Sequence, residues 1–399
     1  MPGRAPHVSA IQGQRSWVFA SDRVEAALTC EGGHLAPVTF HTDAGPVQPF
    51  SIAPWTTGDL APGAPDVLRM LRGDFFCAPF GGNATPWRGE RHPVHGESAG
   101  SRWSLIRSSD REGGAVLEVA LRTRVRPGRI VKRIELRPGE TNIYCRHVLS
   151  GMSGPLSLGH HTMLRFSDES GEGRLALSPW RLGRVCPVPF EDPAQGGYSA
   201  LRTGASFRSL RSVPLAAGGT TDLSTYPARA GFDDLAMVSS RLPRRGPPQP
   251  AWSAVTFPKG GYLWFSLKDP RVLASTVLWF SNGGRHYPPW NGRHRRVLGI
   301  EEATSFFHLG LAESAAANTL SRLRVRTALT LRADAPLEVN YVMGVAAIPR
   351  GFDVVSSIRF LRDHVVFQSR SGLRVEHPVD PGFLSAHPAD PGETPSKSC

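Results

Sequence analysis

The sequence predicts an all-β fold, a large antiparallel sandwich with few short helices. Three observations carry that expectation. Apolar residues recur mostly with a period of two, the spacing that puts every second side chain on one face of a strand. The apolar runs are short and separated by Gly- and Pro-containing turns, in a chain with 42 Gly and 35 Pro. Helical candidates are few, and the best of them, residues 312–320, is short. Many short strands with frequent turns are the signature of a sandwich or barrel.

The elements follow in order. Strand-like runs fall at residues 115–121, 130–136, 143–149, 262–267, 276–280 and 337–345. Arg126-Pro127-Gly128 and Arg137-Pro138-Gly139 read as turns between the first three, and residues 151–155 and 258–261 as further turns. Residues 323–331 alternate so regularly that they read as another strand, with Arg322, Arg324, Arg326 and Arg332 in a row on its polar face. Residues 241–250, RLPRRGPPQP, read as a long surface loop because strand patterns resume on both sides.

The chain has 399 residues, and no repeat or linker divides it. Residues 15–376 are therefore expected to form one oversized β domain. Residues 1–14 and 377–399, with little to bury, are expected to be a flexible N-terminus and a flexible tail. A hydrophobic fraction of 40% is too high for a disordered chain. No apolar stretch approaches the roughly 20 residues of a membrane span, and the first residues lack the apolar core of a secretory signal. The five cysteines are scattered without CxxC spacing, which suggests free thiols, a reducing cytoplasm and no disulfide framework. The net charge of +12 raises the question of nucleic acid, yet only four of the 46 basic residues are lysine. The arginines are spread along the chain as a GC-rich coding bias would spread them, and no recognition motif accompanies them, so no nucleic-acid partner is expected.

Four segments place ionisable residues in Gly-rich or aromatic surroundings. They are Arg72-Gly-Asp-Phe-Phe-Cys-Ala-Pro-Phe-Gly-Gly82; His92-Pro-Val-His95-Gly-Glu97 with Trp103 beyond it; Gly159-His160-His161-Thr-Met-Leu-Arg-Phe166; and Trp279-Phe-Ser-Asn-Gly-Gly-Arg285-His286, followed by Trp290 and Val297-Leu-Gly-Ile-Glu301-Glu302. A carboxylate ending an apolar run is half desolvated, which raises its pKa and suits it to act as a base. A histidine among apolar residues can be tuned to act as an acid. His160 and His161 must point to opposite faces of a strand, so one of them is structural. His92, His95 and Glu97 offer metal-ligand types within six residues, but Pro93 and Gly96 mark a loop rather than one strand face, and no metal site is expected.

These segments, with Gly32-Gly33 in an opening hairpin, resemble the aldose 1-epimerase, or galactose mutarotase-like, superfamily. The likeness is nearest to its hexose-6-phosphate epimerase branch and runs from about residue 17 to about residue 360. Four positions depart from the family pattern. Asp74 stands for a glycine, Met163-Leu164 for Tyr-Phe, and Glu302 for a proline.

The resemblance implies a β-supersandwich that interconverts the α and β anomers of a hexose or hexose phosphate by acid/base ring opening, without cofactor or metal. Glu301 would be the base and a protonated His161 the acid, on opposite sides of the sugar, with Glu302 and His160 as alternatives. Arg72 and His95 match positions that hold sugar hydroxyls. Trp103 and Trp290, and with them Trp87, are candidates to stack on the pyranose. Asp233 is the candidate substrate-binding aspartate, with Asp222 and Asp234 as alternatives. The expected partner is a monosaccharide or sugar phosphate, and the expected assembly a monomer or homodimer. A non-catalytic carbohydrate-binding or sensor protein on the same fold is the alternative, and a lyase a third reading, since fold does not dictate function.

Overall fold

Two large antiparallel sheets face each other across the main apolar core. The computed structural model describes residues 6–111, 113–243 and 249–385. One sheet has nine strands, in the order Thr225–Tyr226, Gly173–Leu177, Ala251–Phe257, Tyr262–Lys268, Leu337–Ala347, Asn142–Ser150, Gly128–Leu136, Gly114–Thr123 and Ser104–Arg111. The other runs Ser206–Phe207, Trp180–Val185, Asp233–Ser240, Ser275–Ser281, Val297–Thr304, Leu158–His160 and Phe76–Cys77, and Thr162–Arg165 also pairs with Val297–Thr304. A five-stranded sheet, from His7–Ile11 to Gly45–Val47, closes one flank of the core. This is the predicted all-β sandwich. Among the described residues the only α-helix is Leu311–Ala315, shorter than the pattern at 312–320 suggested.

Side-chain parity explains the layers. In the second sheet Ala236, Val238, Leu278, Phe280, Leu298 and Ile300 face the main core. Their neighbours Leu235, Met237, Val277, Trp279, Val297 and Ala303 face outward into a second apolar cluster. That outward face carries the site described below. The nine-stranded sheet is also covered on both faces, because a three-stranded sheet, Val355–Phe360, His364–Ser369 and Arg374–Pro378, packs on its outside. Double coverage is why Ala251–Phe257 is buried along its whole length, where a half-exposed strand would alternate.

Three expectations need correction. Within residues 323–331 only Leu329–Leu331 joins a sheet. Ser321–Leu323 forms a turn of 3-10 helix and Arg324 is left-handed, so the regular alternation marks a segment that buries Val325 and Thr327 without a partner strand. At the N-terminus, residues 7–14 are not free, since His7–Ile11 pairs along its length with the strand that follows. At the other end, His377, Phe383 and Leu384 are buried under the nine-stranded sheet, and the His377 ring bonds Asn142 at 2.7 Å. Residues 1–5, 112, 244–248 and 386–399, and with them Cys399, lie outside the described residues. The other four cysteines are free and buried, and among the described residues no helix is long and apolar enough to cross a membrane.

Candidate active site

The second sheet's outward face floors a cleft of about 170 Å³. Apolar walls come from Leu68, Leu71, Val94 and Leu235, aromatic ones from Phe190, Trp279 and Trp290, and polar groups from His95, His161, Arg285, Glu301 and His308. Strand register brings the floor together. Ser275–Ser281 pairs with Val297–Thr304 so that Val277 lies opposite Glu301 and Trp279 opposite Gly299. On the strand's other side Thr162 lies opposite Ile300, which sets His161 next to Glu301.

The centre of the site is a contact between His161 Nε2 and Glu301 Oε1, 3.3 Å apart and almost wholly buried. His161 is held by its backbone N–H, which donates to the Phe75 carbonyl at 2.9 Å, and by stacking of its ring on Phe75 at 4.5 Å. Its Nδ1 is buried without a partner among the described residues. Burial raises the Glu301 carboxyl from about 4.5 to about 8, against a smaller opposing pull from Arg285. Burial, aided by neighbouring His95, pushes His161 well below its ordinary value. At neutral pH the pair therefore holds one proton, formally on Glu301. A carboxylic acid beside a neutral imidazole differs from the resting carboxylate and imidazolium expected from sequence. The groups also touch, where the expectation had them flanking a sugar.

The surrounding histidines are neutral as well. His95 is held near 3 and His308 near 4, mainly by burial. The His95 ring lies edge-on to His161 with centroids 5.0 Å apart. His95 has φ +59° and Gly96 φ +77°. A side chain on Gly96 would place its Cβ 2.1 Å from the Ala78 carbonyl oxygen, so only glycine lets the loop fold this close. The other two residues of the weighed metal triad turn elsewhere. His92 bonds Glu90 at 2.9 Å, and Glu97 accepts the backbone N–H groups of Arg124 and Val125.

Among the described residues Arg285 is the cleft's one lining cation, and it is neutralised. Its Nε lies 2.6 Å from Glu191 and 3.8 Å from Asp233. Its guanidinium is 4.5 Å from the Trp290 ring centre, 5.2 Å from Trp279 and 5.0 Å from Phe190. Asp233 sits behind this wall, accepting from Trp279 Nε1 at 3.2 Å and from the Gly284 N–H at 2.7 Å. It braces the site rather than lining it. Asp234 pairs with Arg229 at 3.1 Å, and Asp222 caps a turn at Ser224.

The paired alternatives separate by parity. Glu302 points into the main core, where it pairs with Lys268 and accepts from Ser253, Ser266 and Thr276. His160 bonds Asp74 at 2.9 Å and stacks on Tyr341 at 4.1 Å. Asp74, where the resemblance has glycine, also accepts from Thr162 at 2.8 Å and so serves as the internal partner of this strand.

Two further expected residues do not join the cleft. Arg72 is 4% exposed, and its terminal nitrogens donate to the Ile11 and Gln12 carbonyls at 3.1 Å, tying down the first hairpin. Trp103 is packed in the main core with its indole N–H on the Ser98 carbonyl. Trp87 is half-buried and carries Arg88 over its ring at 5.2 Å. Sequence reasoning gave no role to Trp279, Arg285, Glu191 or His308. The first two lie in a segment it singled out, and the Gly283-Gly284 turn before Arg285 is the signal it could have used.

No family model matches the chain, and no curated protein matches it in sequence. Solved structures do share its architecture. A candidate mutarotase from Salmonella typhimurium is 12% identical, over 86% of this chain and 94% of that one, with a TM-score of 0.56. A galactose mutarotase-like protein from Clostridium acetobutylicum is 15% identical over 86% and 98%, with a TM-score of 0.54. A candidate aldose 1-epimerase from Escherichia coli is 11% identical over 84% and 99%, with a TM-score of 0.54. At such identities the likeness shows the fold, the galactose mutarotase-like antiparallel sandwich.

Proposed function

We propose that this protein interconverts the anomers of an aldose, with Glu301 and His161 as the reacting pair. The observation that carries the reading is the buried Glu301–His161 contact on the floor of an aromatic-walled cleft. Ring opening needs one proton removed from the C1 hydroxyl and one delivered to the ring oxygen. A singly protonated pair supplies both once the proton moves from Glu301 to His161. Carboxylate Glu301 takes the O1 proton, His161 gives its proton to the ring oxygen, the C1–ring-oxygen bond breaks and the aldehyde forms. Rotation about C1–C2 and reclosure reverse the transfers, so no proton or electron is left over. A sugar lying between the two groups has to part their contact. Trp290 and Trp279 offer ring faces to the pyranose, and His95 a neutral hydrogen-bonding edge.

The cleft favours an uncharged aldose over its phosphate. Arg285 already faces two carboxylates, so a phosphate would meet no free cation there. This moves the reading away from the hexose-6-phosphate branch. The touching pair also supports a second reading, a sugar-binding protein whose acid and base never separate. One experiment divides them: NMR exchange spectroscopy of α and β anomers across a panel of aldoses at pH 7. The enzyme reading expects exchange above the buffer rate for at least one sugar. Saturable binding with exchange at the buffer rate would leave the binding protein.

Gly299 gives a finer test. A methyl group there would lie 3.0 Å from Glu301 Oε1 and 3.0 Å from the Trp279 Cβ. Its backbone is extended, so alanine causes crowding without backbone strain. Gly299→Ala should displace the carboxyl and slow exchange on the order of tenfold or more, because small misplacements of reacting groups are costly. An unchanged rate would remove Gly299 from the site's geometry.

A further inference from the structure

A second hollow, of about 370 Å³, lies on the far side of the aromatic layer that walls the cleft. His294 belongs to both surroundings. Its ring stacks on Trp279 at 5.2 Å and meets Trp290 at 5.2 Å, and it also lines this hollow. Four arginines line it too: Arg165, Arg293, Arg295 and Arg296, together with Gln12 and Gln48, and among the described residues no carboxylate is in the lining.

The fold assembles this cluster from distant parts of the chain. Arg165 lies opposite Val297 in the strand pairing, directly beside Arg296. The bridge between Phe50 and Leu164 brings in the segment holding Gln48. The loop carrying Arg293, Arg295 and Arg296 is anchored at several points. Asn291 has φ +45° and Arg296 φ +57°. The Gly283 N–H donates to the His294 carbonyl at 2.9 Å, and the Phe166 N–H to the Arg296 carbonyl at 3.0 Å. His294 itself is buried, with Nδ1 bonded to Ser281 at 2.7 Å and Nε2 lacking a partner.

Charge pairing leaves the hollow positive. Arg293 is 3.5 Å from Asp59 and Arg296 pairs with Asp168, but both acids lie outside the lining and Asp168 is almost fully exposed. Such surface pairs are weak competitors for a ligand. Arg165 spends its Nε on the Gln48 carbonyl, and Arg295 its Nε on the Gly292 carbonyl. Neither has a carboxylate partner among the described residues, so their outer nitrogens remain available. Other arginine-lined hollows differ. One is lined by Asp222 and Asp353 as well. In another, Arg271 is bound to Asp269.

We infer that this hollow is a binding site for the phosphate group of a small phosphorylated molecule, separate from the cleft. Guanidinium forks match phosphate oxygens in geometry and charge. The hollow is larger than the cleft, so it can take organic structure beyond the phosphate itself. The inference rests on the arginine cluster and not on the proposed reaction.

The test is calorimetric titration of the intact protein at low salt with inorganic phosphate, glucose 6-phosphate and glucose. The probes are repeated on the Arg165→Gln/Arg295→Gln double variant and on Trp290→Ala. The arginines are surface residues, so the double variant should keep its circular dichroism and melting point. The expected result is saturable phosphate binding that weakens at least tenfold in the double variant, fades with added salt and survives Trp290→Ala. Equal affinity for inorganic phosphate and the ester would mean that the group alone is recognised. Tighter binding of the ester would mean that its organic part adds contacts. Either ranking supports the site. Absence of saturable phosphate binding, indifference to the double variant, or loss in Trp290→Ala instead would overturn it. Acceleration of glucose anomer exchange is measured alongside and should be unchanged in the double variant, which keeps failure of this site distinct from failure of the cleft reading.

Discussion

Lys268→Met is expected to cost about 3–5 kcal/mol of folding stability, the size seen when one partner of a buried ion pair is removed. Lys268 and Glu302 meet in the main core between the two large sheets, with side chains 2% and 0% exposed. Lys268 also donates to the Ser275 carbonyl at 2.6 Å and to Thr276 at 3.1 Å. Burial pulls the lysine pKa down and the Glu302 charge opposes that pull. Removing the ammonium leaves Glu302 with three hydroxyl donors but no counter-charge in an apolar layer. The double variant Lys268→Met/Glu302→Leu should recover much of the loss, since a well-packed apolar pair is often as stable as a buried ionic one. Urea denaturation of the three proteins measures this. A single variant within 1 kcal/mol of wild type, or a double variant no better than the single, would count against a charged pair at this position.

Glu301→Gln should behave in the opposite way, although it is the adjacent residue. Exchange catalysis should fall by about 10²- to 10⁴-fold, the usual contribution of an acid/base group. Stability above neutrality should rise. The folded Glu301 carboxyl has a pKa of about 8 against about 4.5 ordinarily. Its contribution is therefore fully present below pH 4.5 and is lost as pH rises through 8, because the unfolded chain gives up the proton earlier. Glutamine carries no such dependence. The stability gap between variant and wild type should open from near zero at pH 4.5 to on the order of 5 kcal/mol above pH 8. The buried histidines act in the other direction at lower pH. His34, His95, His294 and His377 are each held near 3, so unfolding takes up protons and stability climbs towards pH 6.5. They are common to both proteins, and the difference between the two isolates Glu301. In wild type the same ionisation should switch off exchange above about pH 8, since the pair then lacks the proton destined for the ring oxygen. Melting temperatures and exchange rates from pH 5 to 9 test both halves. Parallel stability curves would mean that Glu301 ionises normally.

Most of the sheet architecture was legible in the sequence because it is local. A run such as 130–136, bounded by Pro-Gly turns, has few alternatives to a hairpin strand. Residues 323–331 show the limit of that logic, since alternation records which side chains are buried and not whether a strand lies alongside. The site was legible in part. That His160 and His161, or Glu301 and Glu302, face opposite ways follows from strand geometry alone. Which of each pair meets the cleft depends on which face of the sheet the nine-stranded sheet covers, and that is a property of the whole fold. Arg72 and Trp103 sit in the expected segments but turn to carbonyls and core contacts. For Arg72 the deciding partners lie 60 and 61 residues away. Arg285 was missed because its neutrality depends on Glu191, 94 residues earlier in the chain.

The alternation along Val297–Thr304 makes this strand intolerant of changes in length. A single inserted or deleted residue just before Glu301 would exchange the two glutamates. The carboxyl proposed as the base would then face Lys268, and the lysine's counterion would occupy the cleft. Point substitutions at 297–304 can damage either folding or chemistry, as the two neighbouring glutamates illustrate. A one-residue frame change would damage both at once, and no second substitution elsewhere could repair it. Variation in length should therefore be accommodated in the turns on either side, while the eight residues between them keep their count.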